Sequence, residues 1–353
     1  MSAPISLAAV REAKRMGLRY GVDDVPGITR VKKGIRFEYL APNGKPVRQA
    51  SVLKRIAALV IPPAWTKVWI STDADGHLQA TGRDARNRKQ YRYHASWRAS
   101  RDATKFHRLL DFGDALQAIR DRTNADLRRP GLTREKVLAT VVQLLELTLI
   151  RVGNEEYART NKTYGLTTMK GRHVDVSGAT LRFRFRGKSG KEHEIEAKDR
   201  RLATIVSRCQ ELPGHELFHF FDADGTKHTV GSGDVNEYLK EITGEEFTAK
   251  DFRTWAGTVL ATQALWSCEA FSSKTEAQKN VVEVVKSVAA KLGNTPTVCR
   301  KSYIHPEVLQ GYLGGSLPVE KAARPQGALK SHEVAVLKVL KRLVNSSPAR
   351  KAA

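Results

Sequence analysis

The most informative stretch of the chain reads Leu292-Gly293-Asn294-Thr295-Pro296-Thr297-Val298-Cys299-Arg300-Lys301-Ser302-Tyr303. Apolar residues recur at helical spacing just before it, so a helix is predicted over residues 277–292, with Gly293 as its left-handed stop. Asn294 and Pro296 then predict a turn. Tyr303 follows among basic neighbours, which would lower the pKa of its phenol from about 10 and prepare the oxygen to attack a phosphate. A helix-packed tyrosine is the alternative interpretation of this residue taken alone.

Composition indicates a folded, basic protein. The 353 residues suffice for two or three domains with their own cores. Lys and Arg number 60 against 37 Asp and Glu, a formal net charge of +23, while 41% of residues are hydrophobic. This combination favours a polyanion as partner.

Three cysteines, Cys209, Cys268 and Cys299, are too few and too scattered for a disulfide framework or a cysteine zinc site. This usage favours a reducing compartment. No apolar run approaches the roughly 20 residues of a membrane span, and the N-terminus lacks a signal-peptide core. We therefore expect a soluble protein of the cytoplasm that does not bind membranes.

Patterning predicts an α+β fold with four regions. Residues 1–26 form an arm with a short polar helix, and residues 27–98 form a small antiparallel, β-rich domain. Residues 99–321 are mainly helical, with helices at 106–125 and 133–150 and a β segment at 165–196. Helices are also predicted over 198–222 and 233–244, and from Lys250 to Trp266. Residues 322–353 form a basic tail with one amphipathic helix.

The densest charge cluster lies at the end of the β-rich region. Nine Lys or Arg against two Asp occur between residues 82 and 108. A charge run is usually a solvated face, but this one is interleaved with groups that can read or stack on bases. The candidate nucleic-acid contacts in it are Arg83, Lys89, Gln90, Tyr91 and Tyr93.

Two basic residues in the helical region have ordinary explanations when each is considered alone. Arg151 follows an apolar helix, where an arginine often serves only as a partner of the helix dipole. Lys188 lies in Gly187-Lys188-Ser189-Gly190, a predicted hairpin tip, where lysine is normally solvated. No Walker loop, metal-binding histidine pair or Gly-x-Ser-x-Gly elbow occurs in the chain.

Together these residues resemble the catalytic set of the type IB DNA topoisomerases, most nearly the small poxvirus-like and bacterial enzymes. The resemblance covers residues 20–320 and includes the block at 82–94. Its ordered motif residues are Arg151, Lys188, Arg253, Asn294 and Tyr303.

The resemblance implies a role for each residue. Tyr303 is the nucleophile, Arg151 and Arg253 bind the scissile phosphate, and Lys188 is the general acid for the leaving 5′-oxygen. The poxvirus enzymes have histidine where this chain has Asn294, so hydrogen bonding to a phosphate oxygen carries over and proton transfer there does not.

The resemblance further implies a monomeric, nucleoid-associated protein that forms a clamp around duplex DNA and relaxes supercoils through a 3′-phosphotyrosine, without ATP, metal or cofactor. Tyr157 and Lys250 join the expected DNA contacts.

The residue types also suit this chemistry on general grounds. Attack of a phenol oxygen on a phosphodiester builds negative charge on the non-bridging oxygens, which two guanidinium groups can bind without losing their own charge. Lysine can donate a proton, whereas the amide of asparagine donates hydrogen bonds but does not titrate.

Two other functions remain open from the sequence. A tyrosine recombinase shares the catalytic residues, but it usually has histidine three residues before the second arginine, where this chain has Lys250, and its N-terminal domain is helical. A non-catalytic basic DNA-binding protein would be expected to lack at least one of the four residues Arg151, Lys188, Arg253 and Tyr303.

Overall fold

The computed structural model describes residues 7–34, 36–85, 89–320 and 324–346, and divides into two compact units between Lys105 and Phe106. Part of the predicted arm, the basic residues Arg86 and Arg88, and the two ends of the predicted tail lie outside the described residues. No helix in the described ranges is long and apolar enough to cross a membrane.

The first unit contains an antiparallel sheet of five strands in the order β2-β1-β3-β4-β5. Its strands are β1 (Ile28–Lys33), β2 (Arg36–Leu40), β3 (Thr66–Ile70), β4 (Leu78–Arg83) and β5 (Lys89–Tyr93), and its helices are α1 (Leu7–Arg15) and α2 (Ala50–Ala58). Ile56 of α2 packs on Ile28, Val68 and Ile70 of the sheet, which gives this unit its own apolar core.

Four of these strands match the predicted β-rich pattern, whereas β5 was not predicted. The sequence analysis places its residues, Lys-Gln-Tyr-Arg-Tyr, in a basic cluster with candidate nucleic-acid contacts and predicts no strand there. Because β5 lies at the edge of the sheet, it can carry charged and exposed side chains without an apolar face of its own. The basic block is therefore partly a strand.

The second unit is mainly helical. Its helices are α3 (Ala95–Asp126), whose first residues belong to the other unit, α4 (Arg134–Thr148), α5 (Glu155–Asn161), α6 (Arg200–Glu211), α7 (Ser232–Thr243), α8 (Ala249–Trp266), α9 (Lys274–Lys291), α10 (Pro296–Ser302), α11 (Pro306–Leu313) and α12 (Ser331–Ser346). A three-stranded antiparallel sheet contains β6 (Val174–Ser177), β7 (Thr180–Arg186) and β8 (Glu192–Lys198), and a separate hairpin contains β9 (His219–Phe221) and β10 (Lys227–Thr229). This arrangement confirms the predicted α+β class.

Three predicted boundaries were wrong in detail. Helix α3 begins at Ala95 rather than Phe106, because its first turns lack the apolar stripe on which the prediction depended. The segment 212–222 is not helical: α6 ends before Pro213, and β9 follows. Pro296 begins α10 rather than a turn, since proline is well suited to the first position of a helix.

The predicted tail contains a helix that belongs to the core. Helix α12, Ser331–Ser346, is the predicted amphipathic helix, and it buries Val336, Val339 and Leu340 completely. Its Glu333 accepts hydrogen bonds from Arg120 of α3 at 2.8 and 2.7 Å. The apolar stripe of α12 thus packs against the second unit instead of remaining in solvent.

Candidate active site

Arg151 is held just beyond the end of α4. Leu149 ends the helix in the left-handed region, at φ +56°, so the chain turns sharply before Arg151. The carbonyl oxygen of Arg151 then accepts a 2.9 Å hydrogen bond from the amide of Leu166. Gly165 permits this approach, because a Cβ there would lie 2.5 Å from the same oxygen. The backbone of Arg151 is therefore fixed from both sides.

Arg253 lies in the first turns of α8 and is only 4% exposed. Its guanidinium donates from Nη1 to the carbonyl oxygen of Leu149 and from Nη2 to that of Leu292 at 2.6 Å. It thereby links the end of α4 to the end of α9. Both partners are uncharged, so the positive charge is held in place without being neutralised.

Asn294 follows Gly293, whose φ of +59° confirms the predicted left-handed stop. Its Oδ1 accepts a hydrogen bond from Nη2 of Arg151. Its Nδ2 and the Nε of Arg253 are buried polar atoms without a hydrogen-bond partner among the described residues. Since buried donors are normally satisfied, these two groups suit an acceptor-rich ligand.

Tyr303 is the residue after α10 and is 9% exposed. Its ring centroid lies 5.2 Å from Cζ of Arg253. Its backbone carbonyl packs on α8, where Thr258 donates to it at 3.4 Å and Gly257 leaves room for it. Helix α8 therefore positions both Arg253 and Tyr303.

The cationic surroundings lower the pKa of Tyr303. Burial by itself raises this pKa, but the charge and hydrogen bond of Arg253, with the charges of Arg151 and Lys250, outweigh that effect. The same burial lowers the pKa of Arg253, and the neighbouring Arg151 lowers it further. Two guanidinium groups in one buried site create an excess of positive charge that favours an anion.

Lys188 lies at the tip between β7 and β8, as predicted, and its side chain is exposed. Ser189 in the left-handed region, at φ 67°, makes the turn tight. Lys188 lines a cavity of about 290 Å³ together with Arg151 and Arg253. The structure thus brings all five predicted catalytic residues together through this cavity and the contacts of Asn294 and Tyr303.

One residue that lines the cavity, His193, is not among the candidate site residues of the sequence analysis. His193 lies on β8, opposite Phe185 of β7, and the two rings stack with centroids 5.1 Å apart. A signal was present, because the alternation of Glu192–Lys198 places His193 on the same face as the partly buried Ile195 and the buried Ala197.

The predicted DNA contacts of the first unit lie on β4 and β5. Tyr91 and Tyr93 are 45% and 38% exposed and stack with their centroids 6.0 Å apart. Lys89 pairs with Asp23 at 2.8 Å, and Gln90 donates to Asp84 at 3.0 Å. Both aromatic rings are therefore exposed in part, whereas the side chains of Lys89 and Gln90 pair with carboxylates of the protein. Arg83 is the last residue of β4.

The two remaining predicted contacts lie in the second unit. Tyr157 on α5 is 39% exposed. Lys250, in the first turn of α8, is exposed while its charge still acts on Tyr303. Lys250 is thus a predicted contact whose charge acts directly on Tyr303.

Comparison with known proteins identifies the family. The family model "Eukaryotic DNA topoisomerase I, catalytic core" matches residues 94–321, and "Bacterial DNA topoisomerase IB, N-terminal domain" matches residues 36–84. DNA topoisomerase 1B of Acanthamoeba polyphaga mimivirus is 33% identical over 293 residues, which cover 81% of this chain and 87% of the relative. DNA topoisomerase 1B of Vaccinia virus (strain Copenhagen) is 22% identical over 231 residues, or 65% of this chain and 70% of the relative. The chain belongs to the type IB DNA topoisomerases, and is thus an enzyme that changes the topology of DNA.

Proposed function

We propose that the enzyme relaxes positive and negative supercoils by nicking one strand of duplex DNA, letting the free end rotate and resealing the nick. A single chain carries out the cycle without ATP or an obligatory metal, and in the cell it acts at the nucleoid. The observation that carries this proposal is the contact network of Arg151, Arg253, Asn294 and Tyr303 beside a cavity that Lys188 also lines.

In the first step the oxygen of Tyr303 attacks the scissile phosphorus. The new bond joins this oxygen to the 3′-phosphate, the bond to the 5′-oxygen breaks, and the phenol proton passes to solvent. The lowered pKa of Tyr303 supports this role, because it raises the fraction of phenolate at a given pH.

The charge that develops on the phosphate is stabilised by Arg151, Arg253 and the amide of Asn294. The buried donors Nε of Arg253 and Nδ2 of Asn294 supply hydrogen bonds that are unused within the described protein. Because the carbonyl partners of Arg253 already fix its orientation, little reorganisation is needed when the phosphate arrives.

Lys188 donates a proton to the leaving 5′-oxygen, which departs as a hydroxyl. Its exposed place on a hairpin tip lets the ammonium enter the site from the side of the DNA. Resealing reverses these steps: the 5′-hydroxyl attacks the phosphotyrosine, Lys188 recovers the proton, and Tyr303 departs. The covalent bond preserves the phosphodiester energy throughout.

The exposed tyrosines of β5, together with Arg83, Tyr157 and Lys250, contact the duplex. Lys89 and Gln90 join them when DNA draws them away from Asp23 and Asp84. A cation that exchanges a carboxylate for a phosphate still gains a contact with the polyanion. Binding mediated by such contacts weakens steeply as salt is added.

The test uses supercoiled plasmid in EDTA without ATP. Wild-type protein is expected to relax both negatively and positively supercoiled plasmid and to yield a 3′-linked protein–DNA adduct when it is denatured during the reaction. Tyr303→Phe is expected to bind the plasmid but form no adduct. Tyr312→Phe is the matched control, because it removes the same hydroxyl from another tyrosine of the second unit, one that contacts Asn280.

Binding of plasmid without relaxation would contradict the proposal. Strand exchange between two DNA molecules, without relaxation of one, would favour the recombinase. Binding with neither reaction and no adduct would favour a non-catalytic DNA-binding protein.

A further inference from the structure

The imidazole of His193 lies between two glycines that come from different parts of the active site. A Cβ added to Gly187 would fall 2.5 Å from Cδ2 of His193, and one added to Gly293 would fall 2.7 Å from Cε1. Phe185 stacks on the ring, at an interplanar angle of 15°. The imidazole is therefore held by the stacked ring and, at its edges, by two backbone segments that admit no side chain.

Each of these glycines immediately precedes a proposed catalytic residue. Gly187 precedes Lys188 on the hairpin tip, and Gly293 precedes Asn294 in the turn after α9. His193 thus packs against both segments. A shift of its ring would allow the hairpin and the turn to move relative to each other.

The charges around His193 favour a neutral ring. Burial lowers the pKa of this imidazole, and the positive charges of Arg151, Lys191 and Arg253 lower it further, with a smaller opposing effect of Glu192. Lys188, Lys291, Glu194 and Tyr164 complete the titratable lining of the same cavity. A neutral ring can pack beside the arginines without adding to their mutual repulsion.

We propose that His193 is a positioning residue that holds the Lys188 hairpin against the turn of Asn294, and so places the ammonium of Lys188 at the leaving 5′-oxygen. This inference rests on the proposed function of Lys188 as the general acid. His193 neither gives nor takes a proton in the reaction. Its effect passes through Lys188, so removing its side chain impairs the protonation of the leaving group more than the attack of Tyr303.

The test compares two duplex substrates that differ in one atom, with oxygen or sulfur at the 5′-bridging position of the scissile phosphate. A thiolate is stable near neutral pH, whereas an alkoxide is not. The 5′-sulfur leaving group therefore departs without a proton donor, whereas the 5′-oxygen needs one. The measured quantity is the rate of adduct formation in a single turnover. A defect in proton donation disappears with sulfur, whereas a general structural defect persists.

His193→Ala is expected to slow cleavage of the oxygen substrate about 10- to 100-fold, but to cleave the sulfur substrate within about threefold of wild type. His193→Phe, which keeps an aromatic ring between the glycines, is expected to retain most of the wild-type rate on both substrates. Lys188→Ala should show the same rescue by sulfur as His193→Ala. His215→Ala, an exposed histidine of the second unit, controls for loss of an imidazole elsewhere.

Equal slowing of His193→Ala on both substrates would overturn the inference, and so would a wild-type rate on the oxygen substrate. Wild-type protein that cleaved neither substrate would instead contradict the proposed function. If sulfur failed to rescue Lys188→Ala, Lys188 would not be the general acid, and His193 could not act by placing it.

Discussion

Arg120 and Arg253 are both buried arginines of the second unit, 8% and 4% exposed, but they have opposite partners. Arg120 donates to two carboxylates, Glu146 at 2.6 Å and Glu333 at 2.7 Å. Arg253 donates to the carbonyl oxygens of Leu149 and Leu292. Carboxylates neutralise a guanidinium, whereas carbonyls only orient it. The first arrangement neutralises the buried charge, and the second leaves it unneutralised, as the proposed phosphate site requires.

The pKa directions follow the same division. Burial lowers the pKa of Arg120, but its two carboxylates more than offset this and raise it. For Arg253, burial and the charge of Arg151 dominate, and the pKa falls. An arginine whose charged form is disfavoured gains most when an anion arrives, which is the behaviour required at a site of developing negative charge.

Helix α8 connects the surroundings of Arg120 with those of Arg253. Trp255, two residues after Arg253 on α8, donates from its indole nitrogen to Glu333 at 3.2 Å. The ion pairs of Arg120 with Glu146 and Glu333 form what we call the structural network. Through Trp255 this network supports α8, the helix that carries Arg253 and positions Tyr303. Substitutions of Arg120 and of Arg253 can therefore separate loss of this support from loss of the proposed catalytic charge.

The largest effect is expected from Arg120→Met, which leaves Glu333 buried without its cation. Removal of one partner from a buried ion pair typically costs about 3–5 kcal/mol in the free energy of unfolding. The double variant Arg120→Met with Glu333→Leu should recover part of this loss, because no unpaired buried charge remains. Urea unfolding measures both. Equal destabilisation of the single and double variants would show that the charge of Glu333 is not the cause.

The pH dependence of stability tests the same network. The folded-state pKa of Glu333 falls from 4.5 to about 2: burial raises it, but the hydrogen bond from Arg120, other hydrogen bonds and the charge of Arg120 prevail. A lowered carboxylate pKa contributes stability that is complete above pH 4.5 and is lost as the pH falls towards 2. A shift of this size corresponds to about 3 kcal/mol.

Glu333→Gln is therefore expected to flatten the decline in the free energy of unfolding between pH 5 and pH 2 by roughly that amount. Urea unfolding at several pH values measures the slope. Glu237→Gln, an exposed substitution on α7, controls for loss of one negative charge. An unchanged slope in Glu333→Gln would mean that other groups govern acid unfolding.

The catalytic candidates could be predicted from the sequence, whereas the network of Arg120 and Glu333 could not, because only the candidates lie at local sequence signals. Arg151, Lys188 and Asn294 each lie at a local signal: a helix end, a hairpin tip or a left-handed stop. These signals depend on a few neighbouring residues, and the structure confirms them. The resemblance then joined the separate signals into one expected site.

The missed features depend on contacts between distant parts of the chain. Arg120 and Glu333 are 213 residues apart, and no local pattern indicates that one buried charge will meet the other. The Pro- and Gly-containing approach to α12 resembled a tail, although the helix buries its apolar stripe. His193 follows the hairpin tip closely, but its role depends on Gly293, which reaches it only through the fold.

The next largest effect is expected for Arg253→Lys. Lysine keeps the charge, but a single ammonium on a flexible stem cannot reproduce the fixed fork to Leu149 and Leu292. Single-turnover cleavage should fall about 100-fold, equivalent to about 2.7 kcal/mol, with non-covalent DNA affinity nearly unchanged. Arg120→Lys is the matched variant, and it should lower stability but not the rate of the folded enzyme. If Arg120→Lys and Arg253→Lys both slowed cleavage, the two arginines would not have separate structural and catalytic roles.

The smallest effect is expected from alanine substitutions of two glycines, Gly257 of α8 and Gly113 of α3. A methyl group on Gly257 would collide with the backbone carbonyl of Tyr303, so the backbone that carries this side chain would have to shift. A methyl group on Gly113 of α3 would instead lie 2.7 Å from the ring of Trp255 and 2.9 Å from Leu337 of α12. Gly257→Ala should therefore displace Tyr303, the proposed nucleophile, and Gly113→Ala should overpack the contact of α3 with Trp255 and Leu337.

We expect Gly257→Ala to slow cleavage about tenfold, with a modest loss of stability. Gly113→Ala should lower the free energy of unfolding by about 1–3 kcal/mol and leave the rate of the folded enzyme unchanged. Gly233→Ala on α7 is the control, because a Cβ there meets nothing within 4 Å, and alanine favours a helix by up to about 1 kcal/mol over glycine. Thermal unfolding and single-turnover cleavage distinguish the three. If Gly257→Ala lost stability but kept its rate, then α8 would support Tyr303 without setting the position of its oxygen, and the catalytic side of the helix would be less demanding than the structural side.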